Sequence, residues 1–135
     1  MTIAITNKEP NTGRLQKEDN NVVNIADLAG GSDITFHDAA TVAANGTVVA
    51  VGGFKNLTVE IYGTSTSRTV TFYGKSKSGT LRPVQGVRVS DFAMSLNSTT
   101  KDEIWQFDIT GLDYVVMDLT AVAGGNVSVK GRMIA

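Results

Sequence analysis

The chain contains a single histidine, which is the first candidate for catalytic chemistry. His37 is followed directly by Asp38. A histidine base needs a nucleophile and an orienting group within reach, and only the folded chain could bring these to His37. A metal site on His37 and Asp38 would lack a further histidine, and the absence of cysteine excludes thiolate ligands and cysteine nucleophiles. We therefore interpret His37 as a surface or hydrogen-bonded residue and predict no metal site.

Paired carboxylates are the next candidates for acid–base chemistry. Asp102 and Glu103 are adjacent, and Asp108 follows at strand spacing. Glycoside hydrolysis needs two carboxyl groups about 5–9 Å apart across a cleft, whereas these acids fit a loop and an outward strand face. The pairs Gly52-Gly53 and Gly124-Gly125 lack the Lys-Ser/Thr and the following helix of a phosphate-binding loop. The sequence predicts no enzyme and no cofactor.

The aromatic residues fit core and cross-strand positions. Tyr62 and Tyr73 are predicted to point outward, where they could stack on sugars or on a partner protein, or pair with each other. The full set is Phe54, Tyr62, Phe72, Tyr73, Phe92, Trp105, Phe107 and Tyr114.

The elements that must position these side chains are strands. Apolar and polar residues alternate in residues 57–62, 69–73, 105–110 and 127–133, which is typical of strands with one buried face. This alternation predicts Trp105 and Phe107 in the core. Residues 47–51 and 114–122 are apolar on both faces for part of their length, as in central strands or strands covered by a partner.

Glycine-rich turn signals separate these runs at short-strand spacing, which favours eight or so strands. We predict an all-β domain, a β-sandwich or jelly roll, with an up-and-down barrel as the alternative. Thr100 and Glu103 also fit a helical capping box. The period-two run that begins at Trp105 and the stop at Gly111 favour a strand instead.

The first 21 residues are predicted to form an extended N-terminal arm, followed by a β-domain over residues 22–135. Residues 7–21 are polar apart from Leu15, so they carry too little apolar surface for a core. Arg14, Leu15 and Lys17 are candidate partner contacts on this arm. Residues 22–29 are predicted as a short helix or turn, although their two adjacent valines suit a strand equally well.

The net charge of −1 argues against nucleic acid as a partner. The N-terminus lacks a signal-peptide pattern, and the longest apolar run is far short of the ~20 residues that span a bilayer. We expect a protein that is made in the cytoplasm, stays soluble and has no membrane partner.

The charges are unevenly placed along the chain. Residues 61–90 hold five basic residues and no acid, and residues 91–118 hold six acids and one lysine. This pattern fits two solvated faces whose charges offset each other, or complementary patches that meet between neighbouring subunits. Arg68, Arg82 and Arg88 are the basic candidates for partner contacts.

Four segments carry a family resemblance: residues 54–64, 69–74, 103–112 and 125–131. Over residues 40–135 the chain resembles small β-sandwich virion proteins of tailed phages and prophages, especially those of Gram-positive hosts. The shared motifs are strands and glycine turns, with no catalytic motif to carry across. The resemblance implies a non-enzymatic head decoration or accessory tail protein, often trimeric, located in the virion.

Its expected partners are further copies of the chain, with a trimer favoured, and a major capsid or tail protein. Two other classes stay open. A carbohydrate-binding module would need Tyr62, Tyr73 or Trp105 coplanar at one surface. An enzyme would need a cleft that brings His37 to a Ser, Asp or Glu.

Overall fold

Eleven β-strands form the regular structure of residues 31–135, the part of the chain that our computed structural model describes. The predicted arm over residues 1–21 and the predicted helix or turn over residues 22–29 lie outside this part. The strands are β1 Ser32–Ala40, β2 Val49–Ala50, β3 Asn56–Tyr62, β4 Ser67–Lys75, β5 Arg82–Pro83, β6 Gly86–Arg88, β7 Met94–Ser95, β8 Asn97–Ser98, β9 Glu103–Asp108, β10 Tyr114–Ala123 and β11 Val127–Ile134. Residues 31–135 contain no helix that is long and apolar enough to cross a membrane.

The strands form two antiparallel sheets. The six-stranded sheet has the order β1-β11-β3-β9-β6-β7. The five-stranded sheet has the order β2-β10-β4-β5, with β8 beside β4. The prediction of an all-β sandwich domain is confirmed, and the finer description as a jelly roll stays a prediction.

The core lies between the sheets and is built from the alternating positions that the sequence predicts. Leu57 and Ile61 of β3 are fully buried. The ring centroid of Phe72 on β4 lies 5.2 Å from that of Trp105 and 4.8 Å from that of Phe107, both on β9. Trp105 is 1% exposed and Phe107 is 4% exposed, so their predicted core positions are confirmed.

The two runs that are apolar on both faces occupy different positions. Residues 114–122 fall within β10, which lies between β2 and β4, and Val116 on this strand is 1% exposed. The prediction of a central strand is therefore correct for this run. Residues 47–51 contain only the two-residue edge strand β2, and Val48 is 46% exposed. A central position is wrong for them, because β2 pairs only with β10 and lies at the edge of its sheet.

Candidate functional site

His37 is a structural residue that joins the two sheets. It is 7% exposed, and its Nε2 donates to the backbone carbonyl of Met117 at 2.8 Å. Because β1 and β10 belong to different sheets, this hydrogen bond ties the sheets together, and the interpretation of His37 as hydrogen-bonded is confirmed. The carboxylate of Asp38 pairs instead with Lys130 at 3.7 Å, on the exposed surface. Among residues 31–135, no three His, Asp or Glu side chains are grouped to hold a metal ion.

Asp118 is a second buried polar residue with a structural contact. It follows Met117 on β10 and is 9% exposed, and its Oδ1 accepts a hydrogen bond from the amide of Gly46 at 2.9 Å. Close by, Ala44 and Leu119 exchange two backbone hydrogen bonds of 2.9 and 3.0 Å. Together these contacts hold residues 44–46 against the edge of the five-stranded sheet.

Asp118→Ala is expected to lower the free energy of unfolding by about 1–3 kcal/mol, because the Gly46 amide loses its acceptor. Asp118→Asn keeps an oxygen at the same position and should cost less. Asp38→Ala is the matched control, since it removes an exposed ion pair and should change stability by at most about 0.5 kcal/mol. Urea unfolding measures all three variants. A loss in Asp118→Ala no larger than that in the control would contradict the contact.

Glu103 is the centre of the most extensive polar network in residues 31–135. Its side chain is 8% exposed. The carboxylate accepts hydrogen bonds from Trp105 Nε1 at 2.8 Å and from the Arg88 guanidinium at 3.3 Å. The hydroxyl groups of Ser98 and Thr100 donate to the same carboxylate. The strand prediction is confirmed here, since β9 begins at Glu103 and the two capping-box residues meet through their side chains.

These partners keep Glu103 ionised although it is buried. Burial alone would raise the pKa of this carboxyl group. The hydrogen bonds from Ser98, Thr100 and Trp105, together with the charge of Arg88, outweigh burial and hold the pKa below its ordinary value of 4.5. The residue is therefore a satisfied structural anion and not a proton donor at neutral pH.

Arg88 extends this network into the hairpin that connects β6 to β7. Its Nε and Nη2 donate to the two carboxylate oxygens of Asp91, both at 2.9 Å, and its guanidinium lies 5.6 Å from the Trp105 ring centroid. Asp91 also accepts from the amide of Ala93 at 3.1 Å. The hydrogen bonds from Arg88 and Ala93 lower the pKa of Asp91. We call residues 88–94 with this bidentate pair the clamped hairpin.

The Arg68 guanidinium also makes its contacts within the domain. Its side chain is 1% exposed and donates to Ser65 Oγ at 2.9 Å and to the Gly63 carbonyl at 3.2 Å. It pairs with Asp102 at 3.5 Å. The basic and acidic stretches of the sequence thus meet within one chain, through Arg68 and Arg88.

The other residues predicted to contact a partner do not form one common surface. Tyr62 on β3 and Tyr73 on β4 are half-buried and belong to different sheets, so they do not pair with each other. Because Trp105 is buried, the three residues form no common aromatic platform. Arg82 on β5 is exposed. The predicted contacts Arg14, Leu15 and Lys17 lie outside the described residues.

The most prominent surface feature is Phe92, at the tip of the clamped hairpin. The sequence predicted a core or cross-strand position, which is wrong, because Phe92 is 77% exposed. Its φ of 60° lies in the left-handed region, which is unfavourable for a residue of this kind. Met94, two residues further on, is 65% exposed. The only sequence signal for this turn is the polar pair Ser90-Asp91 between the flanking apolar residues.

A second surface feature lies on the outer face of the six-stranded sheet. It is an open groove of about 600 Å³, whose lining includes Thr58, Ile104, Gly131 and Ile134. Ile104 and Ile134 are 41% and 44% exposed. Asp33 and Arg132, which also line it, pair with each other at 3.2 Å. We call this feature the apolar groove.

The fold and this surface define a class: an all-β sandwich domain of two antiparallel sheets with exposed apolar side chains. The chain belongs to the XepA family, whose model matches residues 24–133. Relatives from the PBSX phage-like element and the SPbeta prophage confirm the predicted resemblance to phage and prophage proteins, whereas a role in decorating the virion stays a prediction.

Three proteins of Bacillus subtilis (strain 168) are similar to the chain in sequence. YqxG is 39% identical over 127 residues, which cover 93% of this chain and 43% of YqxG. The PBSX phage-like element protein XepA is 38% identical over 103 residues, covering 76% of this chain and 37% of XepA. The SPbeta prophage-derived protein YomS is 37% identical over 117 residues, covering 87% of this chain and 96% of YomS. The chain therefore spans about two fifths of YqxG and XepA but nearly all of YomS.

Two crystal structures share the fold. The SPBc2 prophage-derived protein YomS superposes with a TM-score of 0.74 at 37% identity, over 78% of this chain and 93% of YomS. The PBSX exported protein XepA superposes with a TM-score of 0.77 at 30% identity, over all of this chain and 49% of XepA. The domain thus corresponds to nearly the whole of one relative and about half of another.

Proposed function

We propose that this chain is a non-enzymatic accessory protein of a prophage, which assembles into a homo-oligomer and binds the phage particle. The observation that supports the proposal is a difference between buried and exposed side chains: the buried polar ones make structural hydrogen bonds, and several of the exposed ones are apolar. The polar groups that could do chemistry, His37, Glu103 and Asp118, are engaged in structural hydrogen bonds. The exposed surface instead presents apolar side chains on the clamped hairpin and in the apolar groove.

Exposed apolar side chains of this kind are typical of protein interaction sites. Phe92 and Met94 lie together on the hairpin, and Ile104 and Ile134 lie together in the groove. Grouped exposed apolar side chains mark interaction sites more often than scattered ones do. The ion pairs around Arg68 and Arg88 are closed within the chain, so they leave little net charge for recognising nucleic acid. A protein surface is the partner that this chemistry fits best.

On this proposal the β-domain supplies contacts between copies, with a trimer favoured by the resemblance to decoration proteins. The predicted arm over residues 1–21 supplies further contacts to a major capsid or tail protein. Its polar composition suits a segment whose contacts form on binding. On this proposal the assembled protein is located in the virion.

The test is to induce the prophage in the strain that carries it and to purify the particles on a density gradient. Mass spectrometry is expected to find this chain in the particle band at a constant ratio to the major capsid protein. An abundant host cytoplasmic protein, followed in the same fractions, measures carry-over. Recovery of the chain only in the free protein fractions would overturn the particle assignment.

A second candidate function is favoured by one observation, that XepA of PBSX is described as an exported protein. An exported chain would meet the cell envelope or the released particle and would not take part in head assembly. The same gradient separates the two candidates when the culture medium, the envelope fraction and the particle band are compared. Enrichment in the envelope fraction before lysis would support this second candidate.

A further inference from the structure

The segment that connects β1 to β2 contains the only Asn-Gly pair of the chain, Asn45-Gly46. Asparagine is a chemically labile residue, because the backbone nitrogen of the next residue can attack its side-chain carbonyl carbon. Glycine allows this attack most readily, since it has no side chain to obstruct the approach. Asn45 is exposed, so its side-chain amide is accessible to water. Whether the pair reacts therefore depends on what holds the nitrogen of Gly46.

The Gly46 nitrogen is held by Asp118. Its N–H donates to Asp118 Oδ1 at 2.9 Å, and Asp118 is only 9% exposed. Two backbone hydrogen bonds between Ala44 and Leu119, of 2.9 and 3.0 Å, fix the chain two residues before Gly46. A hydrogen bond to a carboxylate is strong, and the negative charge disfavours loss of the proton that the nitrogen must give up to react. The contact therefore suppresses the attack on Asn45 in the folded domain.

Close packing against β10 explains why residue 46 is a glycine. A Cβ at this position would overlap the carbonyl oxygen of Met117 and would lie 3.3 Å from Nε2 of His37. The same carbonyl accepts the hydrogen bond from His37 that ties the two sheets together. A larger residue would displace this junction. The glycine is thus required by the fold, and the reactivity that it gives to Asn45 comes with it.

We propose that Asn45 is a site of spontaneous deamidation, and that Asp118 prevents the reaction as long as this edge of the sheet is closed. When the edge opens, the Gly46 nitrogen forms a bond to Cγ of Asn45. The bond from Cγ to the side-chain nitrogen breaks, and ammonia leaves with the proton of the Gly46 amide. Water then opens the cyclic imide at one of its two carbonyl carbons, which gives aspartate or isoaspartate. The inference goes beyond the proposed function and does not depend on it.

The product is expected to keep the edge open. Isoaspartate adds one carbon to the main chain directly before Gly46, so the amide of Gly46 and the Ala44–Leu119 pair no longer fit β10 together. Both products also add a carboxylate beside that of Asp118, and like charges repel at this distance. The modification therefore makes a reversible local opening permanent.

Deamidation rates of the full-length chain provide the test. Each protein is incubated at mildly basic pH, and conversion at each asparagine is followed by mass spectrometry of proteolytic peptides. The folded wild-type chain is expected to convert Asn45 at least about tenfold more slowly than the same chain in urea, and folded Asp118→Ala is expected to lose most of this protection. Asp118→Asn keeps an acceptor oxygen without the charge and should give an intermediate rate.

Three controls separate the local contact from general destabilisation. Glu103→Ala lowers stability through a different network and leaves the bond between Gly46 and Asp118 intact, so Asn45 should convert at close to the wild-type rate. Asn45→Gln lengthens the side chain, which disfavours ring closure, and should show no conversion at position 45. Asn97, which pairs with Thr71 on β4, is the reference within each chain and should not respond to Asp118→Ala.

Hydrogen exchange tests the effect of the product. In the purified deamidated chain, the amides of Ala44 and Leu119 are expected to exchange faster than in the unmodified chain, whereas amides of β3 and β9 should keep their protection. Unchanged exchange at Ala44 and Leu119 would show that the product does not open the edge.

The protective role of Asp118 is also open to contradiction. Equal rates in the folded and the urea-unfolded wild-type chain would mean that the folded domain does not protect Asn45. A rate in Asp118→Ala at or below that of the wild type would overturn the role of the carboxylate. Acceleration in Glu103→Ala as large as in Asp118→Ala would assign the reaction to global unfolding and would overturn the local mechanism.

Discussion

Replacing Trp105 by alanine is expected to lower the free energy of unfolding by about 3–5 kcal/mol, enough to unfold a domain of marginal stability. Trp105 is 1% exposed and packs against Phe72 with ring centroids 5.2 Å apart. Its Nε1 also donates to Glu103 at 2.8 Å. The substitution therefore creates a large cavity and removes a hydrogen-bond donor at the same time.

Urea unfolding followed by far-ultraviolet circular dichroism measures this loss without relying on tryptophan fluorescence. Gln106→Ala is the control, because Gln106 is the next residue on β9 and faces outward. Trp105→Phe should give an intermediate loss, since it retains an aromatic ring but not the Nε1 donor. A Trp105→Ala midpoint within error of the Gln106→Ala midpoint would show that the assigned core position is wrong.

Replacing Glu103 by alanine is expected to cost about 1–3 kcal/mol, because the buried Trp105 Nε1–H and the neighbouring hydroxyl groups lose their acceptor, while Arg88 keeps its pair with Asp91. Arg88 loses one of its two carboxylate partners, and Trp105, Ser98 and Thr100 lose the acceptor of their hydrogen bonds. Glu103→Gln keeps one amide oxygen as an acceptor and should cost less. Gln106→Ala, a change to an exposed side chain on the same strand, serves again as the control.

The same carboxylate predicts a dependence of stability on pH. The pKa of Glu103 is lower in the folded chain than its ordinary value of 4.5, so the unfolded chain binds the proton more readily. The stabilisation from Glu103 is therefore fully present above about pH 4.5, and it is lost as the pH falls through the lower pKa of the folded chain. Asp91 and Asp108 have lowered pKa values too and contribute in the same direction.

Thermal unfolding between neutral and acid pH tests this assignment. The wild-type Tm should fall on acidification more steeply than that of Glu103→Gln, which cannot titrate at this position. The variant should retain a shallower slope from Asp91 and Asp108. Parallel slopes in the two proteins would mean that Glu103 does not contribute to the acid sensitivity.

The clamped hairpin and the hydrogen-bond network of Glu103 share residues in one region of the molecule. Arg88 contacts Glu103 and stacks over Trp105, and it also closes the turn that presents Phe92. A change at Arg88 is therefore expected to affect both the stability of the domain and the conformation of the hairpin.

The sequence alone determined the fold class and much of the core. Period-two alternation depends only on the local pleat of a strand, so it predicted the strands that carry Leu57, Trp105 and Phe107 and the buried faces of those strands. The lack of cysteine, the single histidine and the missing loop motifs pointed away from known catalytic arrangements. The glycine-bounded strands also carried the resemblance to phage and prophage proteins.

Only the tertiary structure decided how distant residues combine. Arg68 and Asp102 are 34 residues apart in sequence, and their ion pair exists because the start of β4 in one sheet lies beside the residue that precedes β9 in the other sheet. Alternation shows which face a side chain occupies but not which sheet, so it could not separate Tyr62 from Tyr73. Phe92 was expected inside because aromatic rings favour burial, whereas the turn over residues 89–93, closed by Arg88 and Asp91, holds its ring in solvent. Such positions follow from long-range pairing and turn geometry, which the local pattern of residue types does not encode.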